Sequence, residues 1–532
     1  MKHVKRFLAL SLAAALLAGC VSCGNSDEKT SPTGGGSGVD STGDGGTLRI
    51  AMTCAALPNT DSEPTEGQEG YRFVSFQLYD ALVKWDASSE TEAGKIIPGL
   101  ATSWEQNPEN PKRWTFHLRE GVTFSNGTPF NADSVLANFD RMKKGPFESS
   151  FYGMNIDTIY PGLVSYEKTD DYTVVLTLSE GQPLLDYTMV NYGSAIFEPS
   201  CFAEDGTFAG FPIGTGPYAY SGEGGAHLAK NASWWQGKSL PLDRIELTAC
   251  KDTDSVSYAF YAREIQLLFC DLTGADTSNV YGSGDYTDAA TSIMQYLCLN
   301  TRRAPFDNPA VRRAVTLGVD RAGCVSAFLL GHGMAAHFPL SPASDLYPKE
   351  LETAYSPDGY ASALEAAGLH TGKTRSLTLL VNQENSFKVS TAQKIAAGLS
   401  QYDLQVTVQA LPNEEYLQAL QNGDFDLCFC EVKLTADWDL RPLLQSYASL
   451  NFGGYADPET DQLLAGLCAA EPAGRAAAMT ALCKKLADQA PIVPVCFKSY
   501  SVLLPASAAL QPITPTAANP FCGISDWKLN MK

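Results

Sequence analysis

Positive charge is scarce in this chain: 38 lysines and arginines stand against 59 aspartates and glutamates, a formal net charge of −21. A surface that tracks a phosphate backbone needs the opposite balance, so nucleic acid is excluded as the main partner. Histidine is scarcer still. Only His332 and His337 lie close in sequence, and five apart they match no zinc-binding spacing. There is no G-x-S-x-G, no H-E-x-x-H and no full G-x-x-x-x-G-K-[ST] phosphate loop. An enzyme is therefore not expected, since the side chains that make these chemistries work are missing. Past the first twenty residues, no apolar run is long enough to span a membrane. The cysteines beyond Cys23 contain no C-x-x-C pair for zinc or redox work.

What is present starts with Lys2, Lys5 and Arg6, followed by the apolar stretch Phe7 to Ala18, too short to remain as a span. Residues 1–19 read as a signal peptide. Leu17-Ala18-Gly19-Cys20 closes it and resembles the bacterial lipobox, which implies lipidation of Cys20; an ordinary secretory signal with a chance cysteine is the alternative. Residues 20–46, rich in Gly, Ser, Thr and Asp, predict a flexible tether that leaves a soluble body at the outer face of a membrane, in the cell envelope. Export permits disulfides, yet the cysteine spacing spells no framework, and most read as buried small hydrophobes. Cys428 and Cys430, on a predicted strand, are expected on alternate faces.

At 532 residues the chain exceeds one core, and length suggests about three units. Val74 to Val83 has helical spacing, Trp114 to Arg119 alternates as a half-buried strand does, and Asn131 caps a helix with the stripe Val135, Phe139, Met142. Leu297 to Leu299 reads as a short buried strand, after which Asn308 and Pro309 open a helix. Strands at Leu377–Val381, Leu404–Gln409 and Phe425–Glu431 alternate with helices at Phe387–Leu399 and Glu414–Gln421. That alternation predicts a parallel sheet with right-handed crossovers. Ligands gather beyond the carboxyl ends of such strands, which here deliver Asn382 and Gln383, then Glu431 and the loop to Asp437, Trp438 and Asp439. Residues 457–488 read as mostly helical, and the apolar run Ile492 to Phe497 as a return crossing.

Tyr79-Asp80-Ala81-Leu82-Val83, Gly99-Leu100-Ala101-Thr102-Ser103-Trp104 and the block from Trp114 to Val135 closely resemble the extracytoplasmic solute-binding proteins of peptide and nickel ABC importers, family 5. Gly214-Thr215-Gly216-Pro217-Tyr218 and Phe306-Asp307-Asn308-Pro309 fit the same family, and the resemblance runs from about Thr47 to Pro494. It implies an α/β, periplasmic-binding-protein-like two-lobed fold (type II, large cluster C-like) with an extra subdomain in lobe 1. Lobe 1 is expected over 47–295 plus 497–532, with the subdomain at about 76–195, and lobe 2 over 296–496. The strands around Asn300 and Pro491 to Phe497 are then two hinge strands. The resemblance also implies a monomer without cofactor or bound metal. Such a protein captures a small solute, foremost a short peptide, by hinge closure and delivers it to an ABC permease and ATPase complex. A nickel or other metal chelate, or another small solute, is the alternative within this class; a secreted hydrolase or a non-transport sensor is the alternative outside it.

Asp437 stands where the family's peptide binders carry an acidic residue for the peptide's α-amino group; its local alternative is to cap a helix over Leu440 to Tyr447. The step Asp437-Trp438-Asp439-Leu440-Arg441-Pro442 is one residue longer than the family pattern and contains Arg441. Trp438 is read as a pocket wall, and Arg441 as the partner of a ligand carboxylate or of a neighbouring aspartate. By the resemblance, Thr53, Cys54, Ala55 and Ala56 offer backbone groups to an extended ligand, and Asn382 and Glu431 complete the candidate set. Trp234 and Trp235 are read as core.

Overall fold

The computed structural model describes residues 46–52, 77–85, 96–144, 156–190, 194–221, 227–273, 285–369, 371–435, 437–505, 513–516 and 521–529. Cys20, the tether and Thr53 to Ala56 lie outside the described residues. The chain opens on β1 (Gly46–Met52) and passes through the short pair β2 (Val83–Trp85) and β3 (Ile96–Pro98). An antiparallel sheet in the order β4-β5-β7-β6 follows, built from β4 (Ala101–Gln106), β5 (Arg113–Leu118), β6 (Leu163–Asp170) and β7 (Thr173–Leu178). In β5, Trp114, Phe116 and Leu118 alternate inward as their spacing predicts. The helix Ala132–Lys144 buries Val135, Phe139 and Met142 in the same cluster, and Asn131 Oδ1 caps it by accepting from Ser134 N at 3.1 Å. Next, β8 (Tyr218–Ser221), β9 (His227–Lys230) and β10 (Leu242–Ala249) join β1 in the order β1-β10-β9-β8, with β1 parallel to β10.

The helix expected through Val83 is not continued: the chain leaves helical geometry after Leu78, and Val83–Trp85 is a strand. Long-range partners take the backbone groups a helix would use. Gly216 N donates to Leu78 O at 3.0 Å, Leu100 N to Ala81 O at 2.9 Å and Gly99 N to Leu82 O at 3.1 Å. The buried Asp80 carboxylate pins the turn, held by Lys84, by Thr215 Oγ1 at 2.9 Å and by Trp235 Nε1 at 2.8 Å. Gly214 is required there, because a Cβ would run into the Leu78 carbonyl.

The remaining strands are β11 (Leu268–Cys270), β12 (Asp285–Leu299), β13 (Gly333–Ala335), β14 (Arg375–Asn382), β15 (Leu404–Leu411), β16 (Leu427–Lys433) and β17 (Ile492–Leu504). They form one seven-stranded sheet in the order β11-β17-β12-β16-β14-β15, with β13 against β17. β14 is parallel to both β15 and β16, as the strand–helix alternation predicts, but β16 runs antiparallel to β12, so the sheet is mixed. The two-residue period of β12 divides the core. Leu297 and Leu299 face one cluster with Val381, Ile395 and Phe429, while Tyr296 and Cys298 face another with Leu464, Leu482 and Phe497. Cys428 and Cys430, expected on alternate faces, share this second face, as residues two apart on a strand must. All eleven described cysteines are unbridged, and seven of them are buried.

β12, fifteen residues long, and β17, thirteen residues long, are paired antiparallel from Asp285↔Leu504 to Cys298↔Ile492, but their register shifts between Ala290 and Met294 and again between Gln295 and Tyr296. The second shift falls where Tyr296 meets Pro494, which has no N–H to give the ladder. At the first, Thr291 Oγ1 donates to Lys498 O at 2.7 Å. Beside this interruption the Lys498 ammonium is almost enclosed. It pairs with Asp271 and lies 3.8 Å from Glu431, whose other oxygen is 3.0 Å from Lys388 Nζ. Gln295 Nε2 donates to Glu431 Oε2 at 2.9 Å. Burial alone would raise the Glu431 pKa, but Lys388, Lys498 and the Gln295 amide overcome it and hold it at about 2 instead of 4.5.

Replacing Lys498 with Met should cost about 3–5 kcal/mol in chemical denaturation, because two carboxylates then lose their buried cation. A carboxyl with a depressed folded pKa contributes its stability above the unfolded value. The Glu431 contribution should therefore be complete above pH 4.5 and be lost as pH falls toward about 2. In Glu431→Gln that part of the acid-denaturation profile should be flat.

Candidate functional site

The carboxyl ends of β14 and β16 lie side by side and carry the candidate residues. After β14, Asn382 Nδ2 donates to Asn413 Oδ1 at 2.8 Å and its Oδ1 accepts from Glu384 N at 2.8 Å, so Asn382 ties the β14 turn to the helix Asn413–Asn422. Asn385 then caps the helix Ser386–Leu399 and sends its Nδ2 across to Thr273 O, 3.0 Å away, just past β11. Near the end of β16, Glu431 is engaged by two lysines and a glutamine, as described above. Its acceptor capacity is spent inside the protein.

The loop after β16 is held by its own short bonds. Trp438 N donates to Thr435 O at 3.0 Å, and Asp439 N is shared at 3.3 Å between Thr435 Oγ1 and Asp437 Oδ1. The following helix is only Arg441–Leu444; its N-cap is Leu440, without a side-chain cap, so Asp437 does not cap it. Arg441 clasps Asp439 in a fork, with Nε at 2.9 and 3.1 Å from the two oxygens and Nη2 at 2.8 Å. Of the two roles read for Arg441, the structure shows the neighbouring-aspartate one. Asp439 is held below its ordinary pKa, the Arg441 bonds outweighing its burial. Cys468 Sγ touches Asp439 Oδ1 at 3.5 Å, and its thiol is pushed up to about 12, first by burial and then by that carboxylate.

Trp438 is 3% exposed, has a φ of 54°, meets Phe497 edge to face at 6.1 Å, and among the described residues has no acceptor for its buried indole N–H. A left-handed aromatic with an unsatisfied donor costs about 1–3 kcal/mol on each count, so the loop is held in a conformation that its surroundings impose. Arg475, at the start of the helix Arg475–Gln489 and 4% exposed, donates Nη2 to the Asp437 carbonyl. Its charge also acts on Asp186 and Tyr187 of the short helix Leu185–Thr188. Asp186 in turn accepts from Trp104 Nε1 at 3.0 Å.

Arg475, Asp186 and the Lys388–Lys498–Asp271 set are absent from the sequence reading, and Trp104 enters it only within a family block. No local pattern marks them, because each meets partners far away in the chain. Trp234 and Trp235, read as core, are half-buried and pack against core clusters; Trp235 also holds Asp80, with Arg119 4.4 Å above its ring. Among the described residues, no group of three or more His, Cys, Asp or Glu side chains is placed to hold a metal ion. His332 binds Asp288 at 2.9 Å, and His337 is pushed down to about 4, first by burial and then by Arg321. A cavity of about 110 Å³ between Leu78, Phe211 and Tyr220 contains none of the candidate residues and is smaller than the roughly 300 Å³ of a typical small-molecule site.

Residues 95–450 match the bacterial extracellular solute-binding proteins, family 5 Middle. The chain is 28% identical over 411 residues to heme-binding protein A of Haemophilus influenzae, covering 69% of this chain and 70% of that one. It is 26% identical over 441 residues to the glutathione-binding protein GsiB of Pectobacterium atrosepticum, covering 79% and 81%. Its fold superposes on HbpA2 from Haemophilus parasuis with a TM-score of 0.76 at 22% identity, covering 91% of this chain and 100% of that one. The likeness establishes the periplasmic-binding-protein-like α/β fold. The chain belongs to the bacterial extracellular solute-binding proteins of family 5.

Proposed function

We propose that this chain captures a short peptide in the cleft between two lobes and presents the closed form to an ABC permease, acting as a binding protein and not as an enzyme. The observation that carries the peptide reading is Asp437. On the loop beyond β16 its carboxylate accepts, among the described residues, one bond at 3.3 Å, from Asp439 N, while Asp439 and Glu431 are committed to cations of the chain itself. A carboxylate with acceptor capacity in a closing, low-dielectric cleft suits a desolvated ammonium. The lobes are 47–295 plus 497–532 and 296–496, with β12 and β17 as the hinge strands; the register shifts at Ala290–Met294 and Gln295–Tyr296 support this, since a ladder already interrupted bends there at least cost. Thr53 to Ala56 supply the first lobe's side of the site, and lipid on Cys20 holds the body at the envelope membrane. The glutathione-binding relative supports a peptide, glutathione being a tripeptide; the heme-binding relative supports the second reading, a metal chelate held by its organic part.

Asp437→Ala should weaken binding of a cognate short peptide by about 3–5 kcal/mol in titration calorimetry, and unchanged affinity would remove Asp437 from the site. In a thermal-shift screen of short peptides, glutathione, heme and iron chelates, a peptide should give the upward shift; a shift by chelates alone selects the second reading. Cys20→Ala should move the protein from the membrane fraction to the soluble envelope or medium fraction, because one lipid-bearing residue supplies the anchor.

A further inference from the structure

β15 ends the seven-stranded sheet and is bonded to β14 on one side only. Arg375 N donates to Asp403 O and Gln383 N to Leu411 O, so the odd-numbered residues of β15 turn their backbone groups toward β14 and the even-numbered ones turn them outward. The first two outward residues are served by the chain itself: Leu404 N donates to Gln401 O at 3.0 Å and Val406 N to Ser400 Oγ at 2.9 Å. Val408 and Ala410 follow with no outward partner among the described residues. An N–H and a C=O on each, at a bare sheet edge, are a template for another strand.

The other described edge strands of six residues or more are protected. In β1, Gln266 engages both the N–H and the C=O of Arg49. β4 carries Glu105, β6 carries Glu167, Lys168 and Asp170, and register shifts break both ladders. β8 and β11 are only four and three residues long. β15 has none of these devices. Its eight residues hold no charge and no proline, pair with β14 without a register shift, and leave Gln405, Thr407, Gln409 and Ala410 exposed.

We propose that the outer edge of β15 is the contact through which two copies of this chain pair, antiparallel about a two-fold axis at Gln409. In this register Val408 of each copy exchanges both backbone bonds with Ala410 of the other, so every unserved outward group is used. The ladder ends without conflict: Val406, already served by Ser400, falls opposite Pro412, which has no N–H to give. A two-fold axis sets identical residues face to face, so a charged strand would oppose its own charge. A neutral strand accepts its copy, and it offers nothing by which a peptide of either sign would be selected. The contact is small and each copy carries a formal charge of −21, so pairing is weak and strengthens with salt. The monomer that the family resemblance implies is then the dilute form. The pairing is independent of the ligand and of lobe closure.

The test is sedimentation velocity of the full chain carrying Cys20→Ala, which keeps lipid out of the measurement. A monomer–dimer equilibrium should be half complete at about 10–100 μM and tighter at about 0.5 M than at about 0.05 M salt. Val408→Pro removes an outward N–H and spares the β14 ladder; Gln409→Lys sets two ammonium groups together at the axis. Both should stay monomeric at about tenfold higher concentration, with the melting temperature of the parent. Should Val408→Pro lose its fold, Gln409→Lys, on an exposed side chain, carries the test. The register is read separately: Gln409 faces Gln409 at a non-hydrogen-bonded position, so under oxidised glutathione Gln409→Cys should cross-link at least about tenfold faster than Gln405→Cys, which lies beyond the paired residues. A parent that is monomeric up to about 1 mM, a dimer that Gln409→Lys retains, or equal cross-linking of the two cysteine variants overturns the pairing.

Discussion

The ammonium of Lys498 is removed from water at the point where the β12–β17 ladder is out of register, and four other segments converge on it. Asp271 comes from just past β11, Glu431 from β16, Gln295 from β12 and, through Glu431, Lys388 from the helix Ser386–Leu399. An ammonium costs several kcal/mol to desolvate, and only partners in good geometry offset it. The set therefore adds little net stability compared with a well-packed apolar substitute. Its effect is on geometry: with any partner displaced, a charge is left buried, so the five segments are confined to one mutual arrangement. A ladder interrupted by Pro494 cannot fix that arrangement through backbone bonds alone.

The same bookkeeping of charge explains why the proposed site narrows to one residue. Of the polar side chains that the strand ends present, Asn382 is used by Asn413 and Glu384, Glu431 by the Lys498 set, and Arg441 by Asp439. Each of these pairs is already satisfied within the protein, so a ligand would have to displace a formed bond to use it. Asp437 differs because, among the described residues, its side chain is engaged only through a turn-like bond to its own loop, while its backbone is gripped by Arg475. The loop is positioned by the main chain and leaves the carboxylate available.

How much of this was legible in the sequence follows from the range of the interactions. Strands β14, β15 and β16 and their helices appear within a few residues of where periodicity put them, because burial on a fixed period and capping by Asn131, Asn308 and Asn385 are local effects. The first half of β12 was invisible: Asp285 to Thr291 is a polar run, and it is a strand only because β17 pairs with it. The helix expected over Val74 to Val83 failed for the same kind of reason, its carbonyls being claimed by Gly99, Leu100 and Gly216. Lys498, Arg475 and Asp186 have no signature in sequence, since an isolated charged residue looks solvated until the fold brings it a partner. The family resemblance singled out Asp437 as a candidate, which composition and spacing alone would have left as one acidic residue among 59.

Magnitudes set what each charge group can contribute to closure. Moving an equilibrium from 1:99 to 99:1 takes about 5.5 kcal/mol of differential affinity. An exposed ion pair supplies about 0–1 kcal/mol, and a pair that loses water on closing supplies more, though its own desolvation limits the gain. In the closure we propose, a single ion pair is therefore too weak to hold an empty cleft shut. The larger share has to come from ligand contacts that exist only in the closed form, because a ligand with equal affinity for both forms moves nothing. In the closure we propose, the ligand therefore supplies most of the bias.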